Sequence, residues 1–449
     1  MPNVIPLSLP NMLGSTPYTS YTYAYPHKTA YRTFESPLPL HEIWQEADRQ
    51  APFLYLHVPF CEMRCGFCNL FTTINPATDF VEDFLRMLKL EAGQVRAELG
   101  PVAIARMAIG GGTPTYLEPQ QLERLFGIAE GLFGVTPGTV PLSVETSPLT
   151  ATPERLQVLK DHGTDRISIG VQSFMEDEVR RSGRAQQTST VHQALTTIRA
   201  LDFAHLNIDL IYGLPGQTIA NWEKSLRAAL AYQPEEIYLY PLYVRPLTGL
   251  DRIQQRSGHD KDEDIRLACY QAARDLLLEA GYQQVSMRMF QSKRATVQNG
   301  PVYCVQDDGM IGLGCGARSY TRSHHYSNEY AVSARGVKAI LAEYIATPAE
   351  AFASARFGFT LDADEQHRRY VLKSLLETGG LDRQSYQDRF NQDVFQHLPQ
   401  ITELLTLDLV VERSGLLLLT ERGMAYSDTI GPWLYSAQVR QRMEGYTLR

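Results

Sequence analysis

Cysteine is scarce in this chain: there are six among 449 residues. That is too few for a disulfide-built scaffold of this length. A basic surplus is also missing. Lys and Arg number 42 against 50 for Asp and Glu, a net charge of −8, which argues against a global nucleic-acid-binding face. No stretch reaches the roughly 18 consecutive apolar residues of a membrane-spanning helix. The opening segment MPNVIPLSLPNMLGS has neither a basic stretch nor a continuous apolar stretch. A secretory signal is therefore not expected, and the cytoplasm is the expected compartment. Core material, by contrast, is ample. Hydrophobic residues make up 44% and charged residues 20%, a balance that excludes disorder of the whole chain.

Residues 1–50 are rich in Tyr and Pro and read as an arm, with a short amphipathic helix at Leu40–Ala47. From Phe53 short β-rich runs alternate with helical stretches. The runs are Phe53–Val58, Val102–Ile109, Val140–Glu145, Arg166–Gln172, Leu206–Ile211 and Glu236–Leu242. The helical stretches are Asp79–Leu99, Pro119–Phe133, Pro153–His162, Thr188–Leu201 and Ala220–Tyr232. Such alternation implies βαβ units and a parallel sheet. Six units are too few for a closed eight-stranded barrel, so the expected architecture is α/β: a partial (β/α)6 barrel over residues 51–250. A flat doubly wound sheet fits the same alternation. Residues 251–355 read as an extension, helical at first and Gly-rich later, that covers the active site. Residues 356–449 read as three helical stretches, Glu365–Glu377, Arg383–Phe390 and Val394–Leu405, followed by a two-stranded wing, a winged-helix-like α+β domain. From Asp362 to Arg449 there are 13 acidic and 10 basic side chains, so this wing is expected to pack or cover rather than read DNA.

The cysteines are unevenly spread. Cys61, Cys65 and Cys68 fall within eight residues, spaced C-x3-C-x2-C directly after the first strand. Thiolates are the usual ligands of iron–sulfur clusters, and a tight loop aims three of them at one cluster. A [4Fe–4S] cluster held by three cysteines keeps one iron open for a substrate or cofactor. The alternative is zinc completed by His57, although no second cysteine pair exists to support it. Other strands also end in polar or Gly-rich segments. The second is followed by Gly110-Gly111-Gly112-Thr113-Pro114-Thr115, the third ends at Glu145, the fourth runs into Gly170-Val171-Gln172-Ser173-Phe174 with Gly183-Arg184 beyond it, and the fifth carries Asp209. Strand ends of one barrel face share one mouth, and convergent polar groups there mark a ligand site.

Together the cysteine motif C-x3-C-x-F-C, GGGTPT, GVQSF, GR and DLIYGLPGQT resemble the radical S-adenosylmethionine superfamily, in its oxygen-independent coproporphyrinogen III oxidase-like branch. The resemblance implies a [4Fe–4S] cluster on Cys61, Cys65 and Cys68, and one or two S-adenosylmethionine molecules. It implies S-adenosylmethionine contacts from Tyr55, Phe67, Gly111, Gly112, Thr113, Glu145, Gln172, Arg184, Asp209 and Tyr243. It implies reductive cleavage to a 5′-deoxyadenosyl radical that acts on a small organic substrate, with a tetrapyrrole as one option. An electron donor such as flavodoxin or ferredoxin is the implied partner, with neither nucleic acid nor membrane.

The chain departs from the oxidase at Leu70, where the oxidase has a further cysteine. It departs from the branch's heme chaperones at Val297–Cys304, which lacks their His-Asn and Tyr-Trp pairs. Radical methyl transfer with a second S-adenosylmethionine and heme handling remain as alternative activities. In the arm, Tyr18-Thr19-Ser20-Tyr21 resembles an oxidase segment near the active site. Cys269 reads as a core residue and Cys315 as a hydrogen-donor candidate. Arg245, Arg288, Arg318 and Arg322 are candidates to meet an anionic substrate.

Overall fold

A computed structural model describes residues 8–47, 49–257, 263–295 and 308–449. Its centre is six parallel strands hydrogen-bonded in chain order: β1 (Phe53–Val58), β2 (Arg106–Gly111), β3 (Leu142–Thr146), β4 (Arg166–Gln172), β5 (His205–Tyr212) and β6 (Glu236–Pro241). Helices Thr78–Leu99, Pro119–Phe133, Pro153–Asp161, Thr188–Ala200 and Ile219–Leu230 connect them.

The side-chain period of two explains why this sheet makes a lumen. One set of alternate positions is apolar: Leu54 and Leu56, Met107 and Ile109, Ile167 and Ile169, Leu206 and Ile208, Ile237 and Leu239. They share a core with Leu88, Leu125, Leu156, Leu195 and Leu226 of the five helices. The opposite set is largely polar: Tyr55, Ser143 and Glu145, Arg166 and Ser168, Asn207 and Asp209, Tyr238 and Tyr240. These side chains line a single cavity. Helices packed on one face and a cavity shared by all six strands on the other make a concave, partial barrel. The flat doubly wound alternative would place helices on both faces.

Among the described residues, the sheet continues past both barrel edges to thirteen strands. Beyond β6 it adds Met289–Ser292 and Tyr282–Gln284, both antiparallel. Beyond β1 it adds Met310–Leu313 in parallel, then Arg318–Tyr320, His324–Ser327, Ser354–Thr360 and Arg32–Pro39. The Gly-rich extension thus flanks the barrel as sheet, and strand Ser354–Thr360 straddles the expected boundary at 355/356. The arm is less extended than its composition implies. It holds helix Leu9–Ser15, strand Arg32–Pro39 and the short helix Leu40–Ile43.

In the C-terminal region, helices Ala363–Leu375 and Arg383–Phe390 pack on a three-stranded sheet of Leu381–Asp382, Leu416–Leu419 and Val410–Arg413. The stretch expected as one helix, Val394–Leu405, is two: Val394–His397 and Ile401–Thr406. Pro399 explains the break. A residue before proline disfavours the helical region, and Leu398 sits at φ −120°, ψ 69°. Among the described residues, no helix is long and apolar enough to cross a membrane.

Candidate functional site

The cysteine loop leaves β1 and is pinned by backbone hydrogen bonds. Gly66 N–H donates to Ser182 O at 2.9 Å, Leu250 N–H donates to Gly66 O at 2.8 Å, and Cys68 N–H donates to Cys65 O at 3.0 Å. Cys61, Cys65 and Cys68 all line a cavity of about 910 Å³. Donors reach the sulfurs: Thr113 Oγ1 lies 3.5 Å from Cys61 Sγ, and Arg184 Nη1 lies 3.1 Å from Cys65 Sγ. Burial pushes the Cys61 thiol up to about 12 despite Thr113, and raises Cys68 as well. Cys61 and Cys68 are thus favoured as thiols in the protein alone, and metal binding would deprotonate them.

Three thiols from one short loop at one cavity suit a cluster. Among the described residues, no three His, Cys, Asp or Glu side chains are placed to hold one metal ion. A mononuclear zinc site needs its ligands gathered on one atom, whereas each cysteine of a cluster binds a different iron. The Gly110–Gly112 turn lies directly against this loop. Gly112 N–H donates to Val58 O at 2.8 Å, and Thr113 N–H donates to Phe60 O at 2.7 Å. Gly111 adopts φ +116°, and a Cβ there would lie 2.6 Å from the His57 ring. Only glycine satisfies both conditions. His57 Nε2 lies 3.3 Å from the Phe71 carbonyl, an acceptor, so Nε2 carries the proton. Nδ1, at 3.2 Å, then accepts from the Tyr55 hydroxyl.

The ten side chains and backbone positions expected to meet S-adenosylmethionine all border this one cavity: Tyr55, Phe67, Gly111, Gly112, Thr113, Glu145, Gln172, Arg184, Asp209 and Tyr243. A bulge in β4 between Gly170 and Gln172 puts Gln172 at φ +70°, and its side-chain amide lies over Gly170, 2.7 Å from where a Cβ there would sit. Arg184 Nη2 also donates to Gly170 O at 2.8 Å, so β4 and the cysteine loop share one guanidinium. Glu145 accepts from Gly111 N–H at 3.0 Å. Asp209 accepts from Asn207 Nδ2 at 2.8 Å and Ser168 Oγ at 3.3 Å.

Both acids are shifted upward, chiefly by burial, Glu145 to about 7 and Asp209 to about 6. The raised Glu145 value means that its carboxylate, the form that takes an amine, is lost as pH falls through about 7. S-adenosylmethionine affinity should therefore weaken from pH 8 to pH 6. Glu145→Gln should remove the upper step of that profile, leaving a lower one from Asp209. Equilibrium dialysis across this range checks it, and an identical profile in the variant would contradict it.

Several residues were not legible as site residues. Ser143, Arg166, Ser168, Asn207, Tyr238 and Tyr240 line the lumen. Their signal was the polar–apolar alternation inside the β-runs, as in Arg166-Ile167-Ser168-Ile169-Gly170. Tyr23 of the arm and Asp428 of the C-terminal region also reach the cavity, beside Ser20 and Tyr21 of the arm segment expected near the active site. No local pattern marks Asp428.

The arginine candidates divide. Arg245, Arg288 and Arg318 border the cavity, whereas Arg322 is exposed and bonded to Gln366 at 3.0 Å. Cys269 is buried in helix Arg266–Glu279 as expected. Cys315 is fully buried with its sulfur 3.9 Å from Ile340 O, and it is not among the cavity-lining residues. Its candidacy as a hydrogen donor therefore fails on position. Cys304 and the Val297–Cys304 segment lie outside the described residues.

Comparison with known proteins agrees with this geometry. Residues 55–229 match the family model of the radical SAM superfamily, and residues 361–426 match that of the HemN C-terminal domain. The heme chaperone HemW of Bacillus subtilis is 26% identical over 371 residues, 82% of this chain and 95% of the relative. The oxygen-independent coproporphyrinogen III oxidase of Salmonella typhimurium is 25% identical over 422 residues, 90% of this chain and 89% of the relative. The solved coproporphyrinogen III oxidase (HemN) from Escherichia coli superposes with a TM-score of 0.76 at 23% identity, covering 90% of this chain and 96% of that one.

Proposed function

The chain belongs to the radical SAM superfamily, in its coproporphyrinogen III oxidase-like branch, and on that premise we propose that it is an enzyme acting on a small anionic organic substrate. The observation that carries this reading is the shared cavity. The three thiols, the strand-end ligand groups and three arginines border the same space. When bound, a [4Fe–4S] cluster with S-adenosylmethionine supplies a 5′-deoxyadenosyl radical for hydrogen abstraction.

The rest is the work of the chain. Cys61, Cys65 and Cys68 take three irons. The backbone of Gly111 and Gly112, with Glu145, suits the amino group of the methionine moiety. Arg184 suits a carboxylate, and Asp209 suits ribose hydroxyls. Arg245 and Arg318 supply positive charge for carboxylates of the substrate, and the charge of Arg288 beside them is met by Asp428. Each lies over a tyrosine ring: Tyr243 at 4.5 Å, Tyr21 at 3.6 Å and Tyr23 at 4.9 Å. This pairing holds the guanidiniums at the wall without neutralising Arg245 or Arg318 there. Leu70, at the cavity border and 49% exposed, offers no thiol where the oxidase has one. The net reaction accordingly need not be the oxidase's decarboxylation.

Relatives of both kinds keep heme handling as the second reading. Reduced, cluster-loaded protein offered carboxylated tetrapyrroles should release 5′-deoxyadenosine in amounts that rise with substrate. S-adenosylhomocysteine rising instead would assign methyl transfer. One-to-one heme binding with no substrate-dependent deoxyadenosine would replace the enzyme reading with the chaperone one.

A further inference from the structure

Helix Ser427–Trp433 of the C-terminal region carries Asp428, which is 2% exposed and borders the cavity. One carboxylate oxygen, Oδ2, accepts from two donors, the Tyr243 hydroxyl and the Arg288 guanidinium. Tyr243 lies just after β6, and Arg288 immediately precedes strand Met289–Ser292, which pairs with β6. The backbone oxygen of Asp428 also accepts from Ser20 N–H in the arm, at 3.1 Å.

These contacts close on themselves. Arg245 Nη2 donates to Ser20 Oγ at 3.4 Å, and the same guanidinium lies 4.5 Å from the centre of the Tyr243 ring. Tyr243, Asp428, Ser20 and Arg245 thus form a ring of four contacts joining barrel, C-terminal region and arm. Arg288 is held a second time, 3.6 Å above the ring of Tyr21.

A buried ion pair is a poor source of stability. Desolvation of both charges offsets much of their attraction, and apolar replacements are often neutral. What such a pair does supply is fixed geometry. Here the fixed object is Tyr243. Its hydroxyl is committed to Asp428 and one ring face to Arg245, so the remaining ring surface is what it offers the cavity.

We propose that Asp428 is a positioning residue for the cofactor pocket: by fixing Tyr243 it makes S-adenosylmethionine affinity depend on the C-terminal region. The inference rests on reading Tyr243 as a cofactor contact. Asp428 touches neither cofactor nor substrate in this scheme. It acts through the tyrosine.

The test is binding rather than turnover, on cluster-loaded full-length protein. Asp428→Asn keeps the shape and removes the charge. Tyr243→Phe removes the same hydrogen bond while leaving the ion pair to Arg288 intact. Each should raise the dissociation constant for S-adenosylmethionine about tenfold, the lower end for losing a hydrogen bond to a charged partner. The double variant should be no worse than Asp428→Asn alone, because both changes act on the Tyr243–Asp428 link. Cluster absorption should be unchanged in all three.

Unchanged affinity in Tyr243→Phe, or additive losses in the double variant, would overturn the proposal. So would a lowered melting temperature in Asp428→Asn with wild-type affinity, which is the signature of a purely structural pair. Wild-type protein that binds no S-adenosylmethionine would overturn the enzyme reading as well. Wild-type binding with unaffected variants overturns this inference alone.

Discussion

Cys65→Ala should yield a folded protein that stays colourless after anaerobic reconstitution and cleaves no S-adenosylmethionine. The loop around Cys65 does not depend on its sulfur for shape. Its backbone is tied to Ser182 and Leu250 through Gly66, at 2.9 and 2.8 Å. Removing the thiol therefore takes away one ligand, and the sulfur that accepts from Arg184 Nη1 at 3.1 Å, while the loop remains. Loss of an outer-shell partner typically costs roughly 10–100-fold in metal affinity, and loss of a ligand should exceed that. Circular dichroism should match wild type, and iron content should fall to background. A variant that keeps both iron and turnover would remove Cys65 from the ligand set.

Gly112→Ala is the second large effect, and it acts through crowding. A Cβ at this position would lie 2.5 Å from Phe60 O and 2.9 Å from Cys61 Sγ. The carbonyl cannot move freely, because it accepts Thr113 N–H at 2.7 Å. The sulfur is the softer neighbour, so the expected outcome is a displaced Cys61 and a misplaced cofactor. Displacements near 1 Å at a reacting centre cost about 10²-fold in rate. Stability should fall by only about 1–3 kcal/mol, the usual range for overpacking. Gly127→Ala is the matched control, since nothing lies within 4 Å of its Cβ position. Cleavage rates and thermal melts of the two variants, side by side, separate a local clash from a general intolerance of alanine.

The barrel and the thiol loop were legible because their signals are local. C-x3-C-x2-C sits within eight residues, and each β-run carries its own two-residue period. The runs placed five of the six strands to within two residues. The exception was β2, expected from Val102 and observed from Arg106, because its hydrogen-bonded partner β1 begins opposite Arg106.

The remaining features depend on long-range packing. Strand Arg32–Pro39 exists because Ser354–Thr360 offers an edge more than 300 residues later, and its own composition resembles a loop. Asp428 reads as an ordinary helix N-terminal acid, and only the approach of Tyr243 and Arg288 makes it part of the cavity wall. Cys315 went the other way. The turn formed by its Gly-rich neighbours presses Gly314 and Gly316 against His57 and directs the sulfur toward Ile340.

The most direct measurement is anaerobic reconstitution of the full chain followed by reduction with dithionite in the presence of S-adenosylmethionine. The arrangement of Cys61, Cys65, Cys68, Arg184 and the glycine turn predicts about four irons and four sulfides per chain. It also predicts equal amounts of methionine and 5′-deoxyadenosine on reduction. A colourless protein carrying one zinc, or a cluster-loaded protein that leaves S-adenosylmethionine intact, would contradict it.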